Sequence, residues 1–159
     1  MTMLMAREKE EAQLREFKNR HAQLAALSQQ QMMTPLASRS RTREETADGL
    51  VILSAIYGQE DVISIPEKVK ACEGAMDVTV VLQFMVKDSQ LRLYAGSKRE
   101  LMGFWAREES VQAEEGKELV LQVRYRYRGK VWEVKVKDIE PLYLPAIRAM
   151  ELGDGTQVE

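Results

Sequence analysis

Cysteine is nearly absent from this sequence. Cys72 stands alone among 159 residues, so no disulfide can close within the chain and a secreted disulfide scaffold is excluded. Histidine is equally scarce, and a single His21 rules out His-rich metal sites and most Cys/His zinc arrangements. No apolar run approaches the roughly 18 residues of a membrane-spanning helix. The longest, Leu50 to Tyr57, already contains Ser54. Charge of one sign is lacking too: 23 basic residues face 25 acidic ones, for a formal net charge of −2. Met1 to Met5 are mostly apolar, but Glu8, Glu10 and Glu11 follow at once. That pattern fits neither a secretory signal nor a basic, acid-poor presequence, so no cleavable targeting segment is expected.

Catalytic signatures are missing as well. There is no Gly-rich phosphate loop, no GxSxG elbow and no calcium-loop pattern. His21 and Cys72 lie in different regions, and a nucleophilic pair needs hydrogen-bond contact and an orienting third group. His21 is read as a partly buried position on a helix, and Cys72 as a small apolar residue at a strand margin. The carboxylate pairs Glu108-Glu109 and Glu114-Glu115 sit in a polar stretch and read as a solvated loop. The expectation is a protein that is not an enzyme, with no cofactor and no metal.

What is present divides into regions. Residues 3 to about 31 contain no Gly or Pro and are rich in good helix formers. Leu14, Phe17, His21 and Leu24 recur at 3-4-3 spacing with Leu27 beside them, an apolar stripe two to three turns long. It is too short for a coiled coil, so a helix over 1–31 docking on its own domain or on a partner is expected. Residues 32–48 are read as a flexible linker, part of a Gln-, Ser- and Thr-rich stretch without periodicity. Its Arg39, Arg41 and Arg43 alternate with Ser38, Ser40 and Thr42, which suits a solvated tether, or a phosphorylation or anion-binding segment.

From Gly49 the period changes to two, and residues 49–150 are expected to form an antiparallel β domain, with 151–159 a frayed tail. Leu50 to Tyr57 reads as a strand buried on both faces. Val78, Val80, Leu82, Phe84 and Val86 alternate, as do Leu91, Leu93 and Ala95 beyond Lys87-Asp88-Ser89-Gln90. This predicts a first hairpin pairing Val86 with Leu91, Phe84 with Leu93 and Leu82 with Ala95. Leu119 to Tyr127 and Trp132 to Val136 predict a second, closed by Arg128-Gly129, with Tyr125 on Trp132, Val123 on Val134 and Leu121 on Val136. Its opposite face carries Gln122, Arg124, Arg126, Glu133 and Lys135. Between the hairpins, Leu101, Met102, Phe104 and Trp105 predict a packed loop or short helical turn. The fold class is therefore mainly β, an antiparallel sheet or sandwich built from hairpins, with an N-terminal α-helix.

Arg124-Tyr125-Arg126-Tyr127-Arg128-Gly129-Lys130 interleaves cations with aromatic rings, as single-stranded nucleic-acid surfaces do. Strand alternation, however, sends the rings and the cations to opposite faces. RNA association through Arg124, Arg126, Arg128 and Lys130 is thus the alternative to a protein-docking role for Leu14, Phe17, Leu24 and Leu27.

Residues 49 to about 145 resemble the C-terminal domain of the mitochondrial J-protein family called DnaJ homologue subfamily C member eleven. The resemblance rests on blocks in the same order: Gly49-Leu50-Val51-Ile52 through Ala55-Ile56-Tyr57-Gly58, then Val78 to Gln83 and Val86 to Leu91. Ser97-Lys98, Leu101, Gly103-Phe104 and Tyr127-Arg128-Gly129 follow. The segment before them resembles the helix that precedes this domain in the family. Family members carry a J domain whose His-Pro-Asp stimulates Hsp70; here His21 is followed by Ala22-Gln23, so co-chaperone activity is not implied. The resemblance implies protein partners in a mitochondrial, outer-membrane-peripheral, cristae-organising assembly, and no catalytic residues. The chain is then either a small interaction subunit or a C-terminal piece of a longer protein.

Overall fold

The structure, a computed structural model, describes residues 3–107, 117–146 and 150–154. One helix, α1 (Met3–Thr46), precedes strand β1 (Val51–Gln59), helix α2 (Pro66–Lys70), strand β2 (Ala75–Asp77) and helix α3 (Thr79–Met85). Strand β3 (Leu91–Leu93), a 3-10 turn (Lys98–Glu100), the hairpin β4 (Leu119–Tyr127) and β5 (Lys130–Lys137), then β6 (Leu142–Leu144) and β7 (Met150–Asp154) follow. The main sheet is antiparallel with strand order β2-β1-β4-β5-β7, and β3 pairs with β6 separately.

The β4–β5 hairpin has the register its sequence predicts: Tyr125 faces Trp132, Val123 faces Val134, Leu121 faces Val136 and Arg124 faces Glu133. Arg128 and Gly129 both take positive φ, the geometry that matches the twist of a two-residue hairpin. β1 is the buried strand expected from Leu50 to Tyr57, and it pairs along the length of β4. An antiparallel sheet with an N-terminal helix is thus what the chain builds. The second layer is made of α3, the β3–β6 ribbon and the packed loop through Phe104 and Trp105, in place of a full opposing sheet.

Three expectations are corrected. The 32–48 segment is not a linker, because α1 continues through it to Thr46 in spite of Pro35. The helix's inward positions Ala26, Met33, Ala37, Ser40 and Glu44 follow one face, but all except Met33 are small or polar and give little hydrophobic signal. Packing along this face offsets the hydrogen bond that Pro35 removes.

Residues Thr79–Met85 form α3, not the first arm of a hairpin. Val78, Val81, Leu82 and Val86 are buried while Phe84 is exposed, a three-to-four-residue period that coexists with the two-residue one. The turn itself is where it was expected, with Lys87 bridged to Gln90 and positive φ at Asp88 and Ser89. The pairs Val86–Leu91, Phe84–Leu93 and Leu82–Ala95 do not form, because β3 pairs instead with β6, Leu91 facing Leu144.

Residues 151–159 were expected to fray, but Met150–Asp154 adds an edge strand to β5, and β6 lies between Pro141 and Pro145. The acidic stretch with Glu108, Glu109, Glu114 and Glu115 lies outside the described residues.

Polar side chains lock the layers together. Gln83 of α3 accepts from the Ile52 N–H at 2.8 Å and donates to Ser40 Oγ at 3.1 Å, joining three elements at a buried point. Glu44, at the C-terminal end of α1, accepts from the Leu50 N–H at 2.9 Å and the Ser89 hydroxyl at 2.6 Å. Lys98 is buried and donates to the carbonyls of Asp138 and Glu140, each at 2.6 Å. These bonds leave no buried side-chain polar atom without a partner among the described residues.

Candidate interaction surface

α1 has two faces of opposite character. From Ala26 onward, one face lies against α3 and the core. Between Met3 and Lys18 only Ala6 is more than superficially covered, so about 24 Å of helix runs clear of the core at 1.5 Å per residue. A clamp holds this stretch to the domain: Arg107 donates from both terminal guanidinium nitrogens to the Glu16 carboxylate at 2.9 Å each. The hydrogen bond and the charge of Arg107 hold the Glu16 carboxyl below the usual carboxylate range.

The stripe read from the sequence points outward. Leu14, Phe17 and Leu24 are 53%, 68% and 54% exposed, values that mark side chains outside the core. His21 is exposed too, not partly buried, and its ring stacks on Phe17 at a centroid distance of 6.2 Å. Leu27 departs from the set: it turns toward the domain and packs half-buried against the core.

Two residues missed in the sequence extend the outward face. Met32 is 18 positions after Leu14, five whole turns, and both Met32 and Leu36 are exposed. They fell in the stretch read as a linker; the absence of any glycine from Met3 to Thr46 was the available signal of a continuous helix. Exposed apolar side chains therefore recur over about 33 Å from Leu14 to Leu36 on the side away from the core, with Ser28 and Gln31 interrupting them between Leu24 and Met32.

Beside this line, a shallow cavity of about 430 Å³ opens between α1 and the loop after the 3-10 turn, lined by Ala22, Ala25, Gln29, Leu101, Met102 and Trp105 among others. Gln29 and Gln30 clamp the loop to the helix: Gln29 Oε1 accepts from the Gly103 N–H at 2.8 Å, and Gln30 donates to the Gly103 carbonyl at 2.8 Å.

The basic hairpin is differently disposed. Tyr125 is buried and donates no face to solvent, while its hydroxyl accepts from the Ala146 N–H at 3.0 Å. Arg124 reaches Glu133 at 3.5 Å, Gln122 donates to the same Glu133, and Lys135 lies 3.8 Å from Glu60. Arg126 is half-buried, Arg128 sits over the Tyr127 ring at 5.3 Å, and Lys130 is exposed at the start of β5. Tyr125 lies on the face opposite Arg124 and Arg126, and the Tyr127 ring is covered by Arg128, so neither ring is presented beside free cations.

Cys72 is half-buried in a turn after α2, with positive φ. Among the described residues, no cluster of three or more His, Cys, Asp or Glu side chains is arranged to hold a metal ion, and no helix is long and apolar enough to cross a membrane.

Comparison with known proteins places this architecture. Residues 6–145 match the family described as DnaJ-like protein C11, C-terminal. The chain belongs to that family. The match begins inside α1, so the exposed helix and the sheet domain fall within one family unit. Among curated relatives, the mouse DnaJ homolog subfamily C member 11 is 42% identical over 104 residues, covering 64% of this chain and 17% of the relative. The Dictyostelium discoideum homolog is 30% identical over 122 residues, covering 72% of this chain and 19% of the relative. The chain thus spans less than a fifth of the length of these relatives. No solved structure matches it. The resemblance noted from sequence blocks after Gly49 is therefore a family relationship, and the chain is a J-protein-related domain.

Proposed function

We propose that this chain is a non-enzymatic protein-interaction module that docks on a partner protein through the outward face of α1. The observation that carries the reading is the placement of Leu14, Phe17 and Leu24 in solvent on a helix whose other face is already packed. Large apolar side chains aligned on one exposed face mark an interaction site. Family membership supports a setting like that of the J-protein relatives, which we take to be a mitochondrial assembly peripheral to the outer membrane.

The test is a pair of substitutions, Phe17→Ala with Leu24→Ala. The expected outcome is loss of co-purifying proteins from cells while the thermal midpoint stays within about 2 °C, because exposed positions cost little stability. A large fall in midpoint would show that the helix packs at home, and unchanged co-purification would refute the docking role.

RNA association through Arg124, Arg126, Arg128 and Lys130 is the weaker reading, since Arg124 pairs with Glu133, Tyr125 is buried and Arg128 covers the Tyr127 ring. Titration with single-stranded RNA at two salt concentrations rejects it if no salt-dependent binding is seen.

A further inference from the structure

We infer that the occupant of the outward face of α1 is an amphipathic α-helix whose apolar seam is flanked by acidic residues; this rests on the docking role proposed above and specifies its partner. The seam on α1 is set by Leu14, Phe17, His21 and Leu24, with Met32 and Leu36 beyond them. That 3-4-3 spacing is what a second helix reads when it lays its own apolar face alongside.

Between Leu14 and Leu24 the rims of the seam carry charge of one sign. Lys18 lies one turn after Leu14 and just before His21, while Arg20 lies one turn after Phe17 and one before Leu24. They therefore border the seam on its two sides, and both are exposed. Neither makes an ion pair among the described residues. The nearest carboxylate on this stretch, Glu16, is held by Arg107, and the charge of Arg20 acts on it more weakly. From Ala12 to Gln30 the helix has three cations, Arg15, Lys18 and Arg20, and Glu16 as its single acid. Two cations bordering an apolar seam favour acids at the matching positions of a partner helix and penalise bases there.

In the two registers that align the whole seam, a second copy of this chain does not supply those acids. Antiparallel pairing that sets Leu14 against Leu24 brings like rims together, Lys18 nearest Lys18 and Arg20 nearest Arg20 of the other copy. Parallel pairing sets the two cations against Gln13 and Ala25. Neither arrangement gives them a carboxylate.

The experiment uses three labelled 28-residue peptides with Leu and Ile at the seam positions of four heptads. Their flanking positions are all Glu, all Gln or all Lys, and anisotropy is read with the full chain. The Glu and Lys peptides repel their own copies and stay monomeric. The Glu peptide is expected to bind at least tenfold more tightly than the Lys peptide, with the Gln peptide between them. Added salt should narrow the gap. Lys18→Glu with Arg20→Glu should invert the order, and Phe17→Ala with Leu24→Ala should abolish binding of every peptide.

If all three peptides bind equally and the apolar double variant abolishes binding, the acidic-partner inference falls and the docking role stands. Equal binding that survives the apolar double variant removes both, as does co-purification unaffected by it. If no peptide binds while co-purification still depends on Phe17 and Leu24, the helical class of partner is overturned. A dimer in sedimentation that dissociates in the apolar double variant makes the occupant a second copy and overturns the inference.

Discussion

Replacing Gln83 with alanine, beside a parallel Phe84→Ala, separates the helix in the structure from the strand that the sequence pattern suggests. In a strand over Val78 to Val86, Phe84 would face the core and Gln83 would face water. In α3 the two exchange roles: Gln83 is 3% exposed and Phe84 is 39% exposed. Truncating Gln83 leaves the buried Ile52 N–H without its acceptor and Ser40 without its donor. An unsatisfied buried donor costs about 1–3 kcal/mol, and the lost methylene burial adds about 0.8 kcal/mol. The sum is about 2–4 kcal/mol, or roughly a 6–12 °C fall in midpoint for a chain of this size. Phe84→Ala should cost no more than about 1.5 kcal/mol, against about 3–5 kcal/mol for a fully buried phenylalanine. Gln83→Met, which keeps the volume, isolates the hydrogen-bond contribution and should still cost about 1–3 kcal/mol. Urea unfolding of the variants, followed by tryptophan fluorescence, measures all three. A Gln83→Ala cost within about 0.5 kcal/mol of zero, with Phe84→Ala above about 3 kcal/mol, would refute the helix and restore the strand.

Gly58 pairs with Ala75 where β1 meets β2, and a Cβ there would run into the Gly74 carbonyl and the Ala75 backbone. Gly58→Ala should therefore destabilise by about 3 kcal/mol, read from the urea midpoint. Tyr57→Phe should cost about 1.5 kcal/mol at pH 8, because the phenol donates to Asp138 Oδ1 at 2.7 Å. Burial, then the hydrogen bond and charge of Asp138, raise the Tyr57 phenol far above its ordinary value of 10.0. A raised folded-state value means its stabilisation is complete below the unfolded-state value and fades as pH climbs above it. At pH 11 the unfolded phenol is ionised by about one unit, worth about 1.4 kcal/mol, so the gap between wild type and Tyr57→Phe should nearly close. A gap that stays constant from pH 8 to 11 would show that the phenol is not shielded. Lys98→Met strips the donor from the Asp138 and Glu140 carbonyls and should lower stability by about 2–4 kcal/mol in the same assay.

Where one periodicity dominated, the sequence was readable. Leu121, Val123 and Tyr125 against Val136, Val134 and Trp132 leave one register that buries both sets, and the structure has it. Val78 to Val86 satisfied two periods at once, since apolar residues at 78, 82 and 86 suit both a strand face and successive helical turns. The deciding residue was polar: Gln83 is buried because it closes hydrogen bonds to β1 and α1, a tertiary cause with no local trace. Leu91 and Leu93 were recognised as strand residues, but their partner, Leu142–Leu144, lies about fifty positions away, where hairpin logic does not reach. On the candidate surface, Leu14, Phe17 and Leu24 were legible as a stripe, whereas Met32 and Leu36 were hidden by the mistaken linker.

The inversion of α1 ties these points together. A helix that existed only to cover its own core would turn its large apolar residues inward, because burial of each contributes about 1.5–3 kcal/mol. Here the inward positions are Ala26, Met33, Ala37, Ser40 and Glu44, while Leu14, Phe17, Leu24, Met32 and Leu36 face water. Small inward residues such as Ala26, Ala37 and Ser40 let α1 lie close to the domain, and hydrogen bonds accepted by Ser40, Glu44 and Gln29 and donated by Gln30 fix it. Anchoring by polar bonds leaves the large side chains unspent. The same design explains why a hydrophobic-pattern reading ended the helix near residue 31: the pattern follows the outward side, and the domain-facing side is written mostly in small or polar residues.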